Sequence, residues 1–108
     1  MADRRPARIA ALRDALTAAH IDGLVITSLP NVRYLTGFSG TSALVLVTPR
    51  DLHFITDFRY DTQVRDEVGD IATVRIEQQS LWSGLWTLAG SLSALEVIGF
   101  ESAHLLHR

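Results

Sequence analysis

Residues 24–47 read LVITSLPNVRYLTGFSGTSALVLV, and the fold turns on how this run divides. Leu24, Val25, Ile26 and Thr27 form a short, almost wholly apolar run, the mark of a central strand covered on both faces. Ser28 can cap a helical segment over residues 29–35, with Pro30 in its first turn, where a missing N–H costs nothing. Gly37 breaks that helix. Residues 43–48 and 52–56 read as two more strands. Pro49-Arg50 lies between them, with proline at the favoured second turn position, so an antiparallel hairpin is expected. Between helix and hairpin lie Phe38, Ser39, Gly40, Thr41 and Ser42, a loop without charge. An irregular, small-residue segment set between core strands is where a fold tends to place a site.

Upstream, residues 4–20 read as an amphipathic helix. Ile9, Leu12, Leu16 and Ala19 recur at three- and four-residue steps, and Arg5, Arg8 and Asp14 are expected to face away. Asp3 can cap its start, with Pro6 in the first turn, and Asp22-Gly23 is read as its end, glycine being suited to a left-handed stop. Downstream, Asp57 can cap a helix over residues 58–68 that shows Tyr60, Val64 and Val68 on one face and ends at Gly69. Residues 71–77 alternate as a half-exposed strand near a sheet edge. Ser80 caps a helix over residues 81–94. Leu81, Leu85, Leu88 and Leu92 make one stripe, and Trp82, Trp86 and Ala89 lie beside it. So wide an apolar face predicts burial on a sheet plus a second contact, with the tryptophans in the core. Residues 97–100 are another buried strand, and Ser102 can begin a short helix. Helices and strands alternate around one hairpin. The expectation is a three-layer α/β/α domain with a mixed, mostly parallel sheet of about five strands and right-handed crossovers.

The 108 residues suit one domain, and 47% hydrophobic against 20% charged residues is a globular balance with enough apolar surface for a core. The formal net charge is -2 and no basic patch stands out, which argues against a nucleic-acid partner. All the basic residues are Arg and scattered. There is no cysteine, so disulfides and thiol chemistry are excluded. No apolar run approaches the roughly 20 residues that span a bilayer, so no membrane partner is expected and a cytoplasmic location is.

The candidate chemistry is thin. Glu101, His104 and His107 recur at three-residue steps, but they straddle a strand end, and no metal site is expected there. His20 near a helix C-terminus and His53 in the exposed half of a hairpin strand read as structural or solvated. Ser39 and Ser42 lack a nucleophile elbow, and the glycines near them lack a phosphate-loop pattern. Asp57, Phe58, Arg59 and Tyr60 stand at the carboxyl end of a strand, where open α/β sheets place ligands; Arg59 could grip a carboxylate and Asp57 could orient it or cap the helix.

The order IDGLVITSLPNVRYLTGFSGTSALVLVT, then FITDFRYDTQ, then IGFES resembles the N-terminal domain of the creatinase/prolidase/Xaa-Pro aminopeptidase family. NVRYLTGFSG and TDFRY at this separation carry the resemblance, which runs from the first helix to Glu101. It implies a ribonuclease H-like motif and makes residues 1–108 the non-catalytic N-terminal domain of a two-domain enzyme, cut before a C-terminal pita-bread catalytic domain. That domain would hold two divalent metals (Mn, Co or Zn); no catalytic or metal-binding residue is expected in residues 1–108. The partners implied are the catalytic domain, a second copy in a homodimer, and a proline-containing peptide substrate. Phe38, Ser39, Gly40 and Thr41 are then the positions that narrow the substrate site, with Arg59 a further contact. Creatinases carry an Arg in or near this loop, and some prolidases a charged insertion; this loop has neither. The implied parent is therefore a Xaa-Pro aminopeptidase or dipeptidase, with a creatinase-like amidinohydrolase and a non-enzymatic interaction module as alternatives.

Overall fold

The computed structural model describes residues 3–92 and 95–101. Its strands are β1 (Gly23–Ile26), β2 (Ala43–Val47), β3 (Leu52–Asp57), β4 (Thr73–Glu77) and β5 (Ile98–Phe100). They form one sheet in the order β4-β3-β2-β1-β5. β2 pairs antiparallel with β1 and β3, while β3 with β4 and β1 with β5 are parallel. Four strands thus run one way and β2 runs against them, the mixed, mostly parallel sheet expected.

The strand pleat sorts the core into two faces. Leu24, Ile26, Val45, Val47, Leu52 and Phe54 point to one face, where they meet Ile9, Leu12 and Leu16 of α1 (Arg5–Ala18). Val32 and Leu35 of α2 (Leu29–Thr36) and Val64 of α3 (Asp61–Glu67) complete that layer. Val25, Leu44, Leu46 and Ile55 point to the other face, against Leu85 of α4 (Leu81–Ser91). Both faces of β1 and β2 are covered, which is why their sequences are apolar at every position rather than alternating. Each buried Leu, Ile, Val or Phe contributes about 1.5–3 kcal/mol, so these two layers dominate the stability.

The crossovers share one hand. From β3 the chain steps outward to β4 through α3 on the first face, and from β4 it returns across the sheet to β5 through α4 on the second. Opposite step directions on opposite faces are the same handedness, as the rule for parallel connections requires.

Several local details depart from the sequence reading. His20, not Gly23, takes the left-handed conformation that stops α1, at φ 58. Gly23 instead opens β1, and the Asp22 carboxylate accepts the N–H groups of Glu96 (2.9 Å) and Val97 (2.8 Å), fixing the approach to β5. Ser28 makes no side-chain cap on α2. The Glu101 carboxylate instead braces the entry to α2, accepting from the N–H groups of Thr27 and Ser28, which precede the helix, and from the Asn31 side-chain amide at 2.7 Å. The helix expected over residues 58–68 divides into a 3-10 turn (Phe58–Tyr60) and α3, and a second 3-10 turn (Gly69–Ile71) leads to β4. Arg5 and Arg8 do not face away. Arg5 donates to the carbonyls of Thr36 (2.7 Å) and Glu67 (2.9 Å), and Arg8 to that of Tyr34 (2.9 Å). His53 is buried in β3, with Nε2 unpartnered; removal from water lowers its pKa below the ordinary 6.5. Trp82 and Trp86 are 40% and 50% exposed rather than core. The helix expected from Ser102, with His104 and His107, lies outside the described residues.

Candidate functional site

The loop after α2 is built from the floor upward. Gly37 ends the helix in the left-handed conformation at φ 82, which suits a residue without Cβ. Phe38 then turns into the core, edge-on to Phe54 (4.9 Å between ring centres) and to Tyr60 (5.3 Å). Gly40 crosses directly over these rings. A Cβ built there would stand 2.3 Å from Phe38 Cζ and 2.9 Å from Tyr60 Cε1, so only glycine lets the backbone come this close.

The exposed members of the loop are tied on both sides. Ser39 donates its N–H to Glu67 Oε1 (2.9 Å) and its hydroxyl to Oε2 (2.6 Å), and Gln63 Nε2 bonds both Ser39 Oγ (3.1 Å) and Glu67 Oε1 (2.9 Å). Thr41 meets the Tyr60 hydroxyl through its own hydroxyl (2.7 Å) and its N–H (3.3 Å). The Ser42 carbonyl accepts from Thr56 Oγ1 at 2.6 Å, joining the loop to β3. Donation from Ser39 and Gln63 holds the Glu67 carboxyl below its ordinary range, and the bonds from Thr41 hold the Tyr60 phenol below its own. Both shifts arise because the bonds favour the charged form. A carboxylate stabilised in this way is a weak base, so Ser39 is anchored rather than activated as a nucleophile.

In front of the loop opens a cleft of ≈ 410 Å³, lined by Leu29, Pro30, Arg33, Phe38, Ser39, Gly40 and Thr41. The structure thus brings together Phe38, Ser39, Gly40 and Thr41 on one wall. It does not bring Arg59 with them. Arg59 forms a two-point pair with Asp57 (Nε to Oδ1 2.9 Å, Nη2 to Oδ2 2.8 Å) and lies over the Tyr60 ring. Asp57 both caps and orients, since its Oδ1 also accepts the Arg59 N–H at 3.0 Å; the Arg59 side chain pushes the Asp57 carboxyl below its usual range. The cation on the cleft is Arg33, exposed on α2. Sequence reasoning passed over it, although Leu29 and Arg33 are four residues apart and must share a helix face.

Among the described residues no group of three or more His, Cys, Asp or Glu could hold a metal ion, and Glu101 is engaged by the start of α2. No helix of the described residues is long and apolar enough to cross a membrane.

Residues 8–108 match the model of the creatinase/prolidase N-terminal domain. The uncharacterised peptidase YqhT of Bacillus subtilis (strain 168) is 46% identical over 57 residues, which span 53% of this chain and 16% of that protein. Among solved structures, the Xaa-Pro dipeptidase from Bacillus anthracis is similar over 95% of this chain and 28% of its own, with TM-score 0.83 and 28% identity. The N-terminal domain of the cytoplasmic peptidase PepQ from Mycobacterium tuberculosis H37Rv is similar over 88% of this chain and 72% of its own, with TM-score 0.80 and 37% identity. The chain therefore spans less than a third of the length of YqhT and of the Bacillus anthracis dipeptidase.

Proposed function

The chain belongs to the creatinase/prolidase N-terminal domain family, and from that premise we propose that it is the non-catalytic first domain of a metal-dependent Xaa-Pro peptidase. Its task is to narrow the substrate site and to contribute to a homodimer. The chemistry lies in a C-terminal catalytic domain that holds two divalent ions (Mn, Co or Zn) and acts on proline-containing peptides in the cytoplasm. The observation that carries this reading is the loop over the cleft. Phe38 roots it, Glu67 and Tyr60 brace it, and Gly40 brings its backbone to the surface without a side chain. A wall held from three sides offers shape to a substrate and no catalytic group. Phe38, Ser39, Gly40 and Thr41 are the residues assigned to substrate contact, with Arg59 kept as a brace of the neighbouring turn.

Arg33 on the cleft favours one second reading, a creatinase-like hydrolase of a small amide or amidine bearing a carboxylate, which Arg binds well. One panel separates the two. The parent protein loaded with Mn is assayed on Xaa-Pro dipeptides, on longer Xaa-Pro peptides and on creatine, beside the 108-residue chain. The peptidase reading expects cleavage of the peptides by the parent and none by the 108-residue chain. It also expects Thr41→Tyr in the parent to lower kcat/KM for longer peptides more than for dipeptides. Hydrolysis of creatine alone selects the second reading. Peptide cleavage by the isolated chain, or a loop variant with an unchanged length preference, overturns the role given to this domain.

A further inference from the structure

β3 is interior to the sheet, between β2 and β4, and it carries an ionisable side chain into the core. His53 stands opposite Leu46 of β2 and two positions before Ile55. Both of these point to the α4 face, so the imidazole points there too. The residue is 9% exposed, and its Nε2 is covered and has no hydrogen-bond partner among the described residues. α4 crosses above it. Gly84, in the first half of the helix, lies against the Glu77 side chain at one end of the sheet. Ser91 and Leu92, at its close, line a cavity of ≈ 350 Å³ with Thr48, Pro49, Arg50 and Asp51 at the other end. His53 follows directly on that turn and so lies beneath the second half of the helix.

The charges around this face do little for an imidazolium. β1, β2 and α4 carry no ionisable side chain. β4 sets Thr73 beside His53, while its Arg75 and Glu77 stand further along, beside Ile55 and Asp57, and bond each other. Arg50 and Glu96 are exposed. Burial holds the His53 pKa below the ordinary 6.5, and Asp51, exposed at the turn, pulls more weakly the other way. Neutral, the ring leaves one bond unmade. Protonated, it puts a whole charge under an apolar helix, which costs far more unless water reaches it. The layer that gives way is the one held least. β2 and β3 are each bonded on both sides. α4 is fixed by the buried Leu85 and the partly buried Leu81, Leu88 and Leu92, and Gly84 and Gly90 weaken it from within.

We propose that His53 is an acid-sensitive latch: with a neutral ring α4 closes over the sheet, and protonation of the ring opens that helix while the opposite face, with the cleft, stays folded. The open form takes up the proton at the ordinary 6.5 and the closed form only below it, so closure is favoured above 6.5 and is lost as pH falls beneath that value. The inference rests on the packing of α4 and holds whatever reaction the parent catalyses.

Hydrogen exchange of the full-length parent, read by mass spectrometry and corrected for the intrinsic effect of pH on exchange, tests it. Between about pH 7.5 and about pH 5.5, residues 81–91 are expected to exchange about threefold faster or more, and residues 5–18 at an unchanged rate. His53→Leu should abolish the acid response. Asp51→Asn, a change at an exposed position that removes the one favourable charge, should move the response to lower pH. An α4 response that is absent, that survives His53→Leu, or that Asp51→Asn leaves in place overturns the proposal. So does loosening of β4 alone, which admits water to the ring from the sheet edge instead, and equal loosening of α1, which makes the acid effect a global unfolding.

Discussion

Gly40 is the residue on which the loop depends most sharply. Its Cα passes so close to Phe38 and Tyr60 that alanine must push a ring aside, and overpacking of this kind costs about 1–3 kcal/mol. Gly40→Ala should therefore lower the urea midpoint. Gly90 on α4 has nothing within 4 Å of an added Cβ, and Gly90→Ala should raise stability by about 0.4–1 kcal/mol through the unfolded chain. Glu67 supplies a pH dependence of known sign. Donation from Ser39 holds its folded pKa below the ordinary 4.5, so the unfolded chain takes up the proton first as acid is added. The stability it contributes is present above 4.5 and is lost as pH falls through the lower, folded value. The exchange protection of the Ser39 amide should fall in that window, and Glu67→Gln should weaken it already at pH 7. Neither Glu67 nor Tyr60 announces its role in the sequence. The bonds to Ser39 and Thr41 span 28 and 19 residues, and spacing rules on one helix or strand do not reach so far.

At the scale of elements, periodicity exposed what burial dictates and missed what polar groups do over distance. The stripes of α1 and α4 and the unbroken apolar runs of β1 and β2 were legible, because the core must be filled from both faces of the sheet. Arg5 was not. It begins α1, yet its Nη1 joins the end of α2 to the end of α3 through bonds to residues 31 and 62 positions away. Two ends of helices thereby share one cation, which suits the partial negative charge of both. Arg5→Ala should cost about 1.5–3 kcal/mol in thermal unfolding, since it leaves carbonyls without their charged donor, and Arg5→Lys should recover only part of it. His53 escaped for a related reason. Its strand alternates polar and apolar at that point, as an exposed strand would, but the strand is interior to the sheet and the position is covered.

For the whole molecule, the hairpin and the mixed, mostly parallel sheet were legible in the sequence, while the order of the strands and the pairing of β5 with β1 were not. That pair joins the far end of the chain to its first strand, and nothing local specifies it. The tryptophans show the other limit of a sequence reading. An apolar side chain is ordinarily assigned to the interior, but these two find no interior within the elements described. The 108-residue chain by itself should therefore associate in a concentration-dependent way in sedimentation velocity, and Trp82→Ser with Trp86→Ser should return it to a monomer. Association unchanged by the pair of substitutions would locate the contact elsewhere.

The grip of Glu101 on the first turn of α2 has a consequence for the order in which the molecule can be made. The carboxylate bonds Thr27, Ser28 and Asn31 across 70 to 74 residues. A ribosome releases α2, with the loop at its end, long before it releases Glu101. Until then the N–H groups of Thr27 and Ser28, just before that helix, and the Asn31 amide lack this acceptor, and a helix of 8 residues gains little from propagation alone. The scaffold of the loop is thus synthesised well before the carboxylate that steadies it. Contacts so distant in sequence are slow to close, so a nascent chain should carry a pliant cleft until β5 and Glu101 have been released.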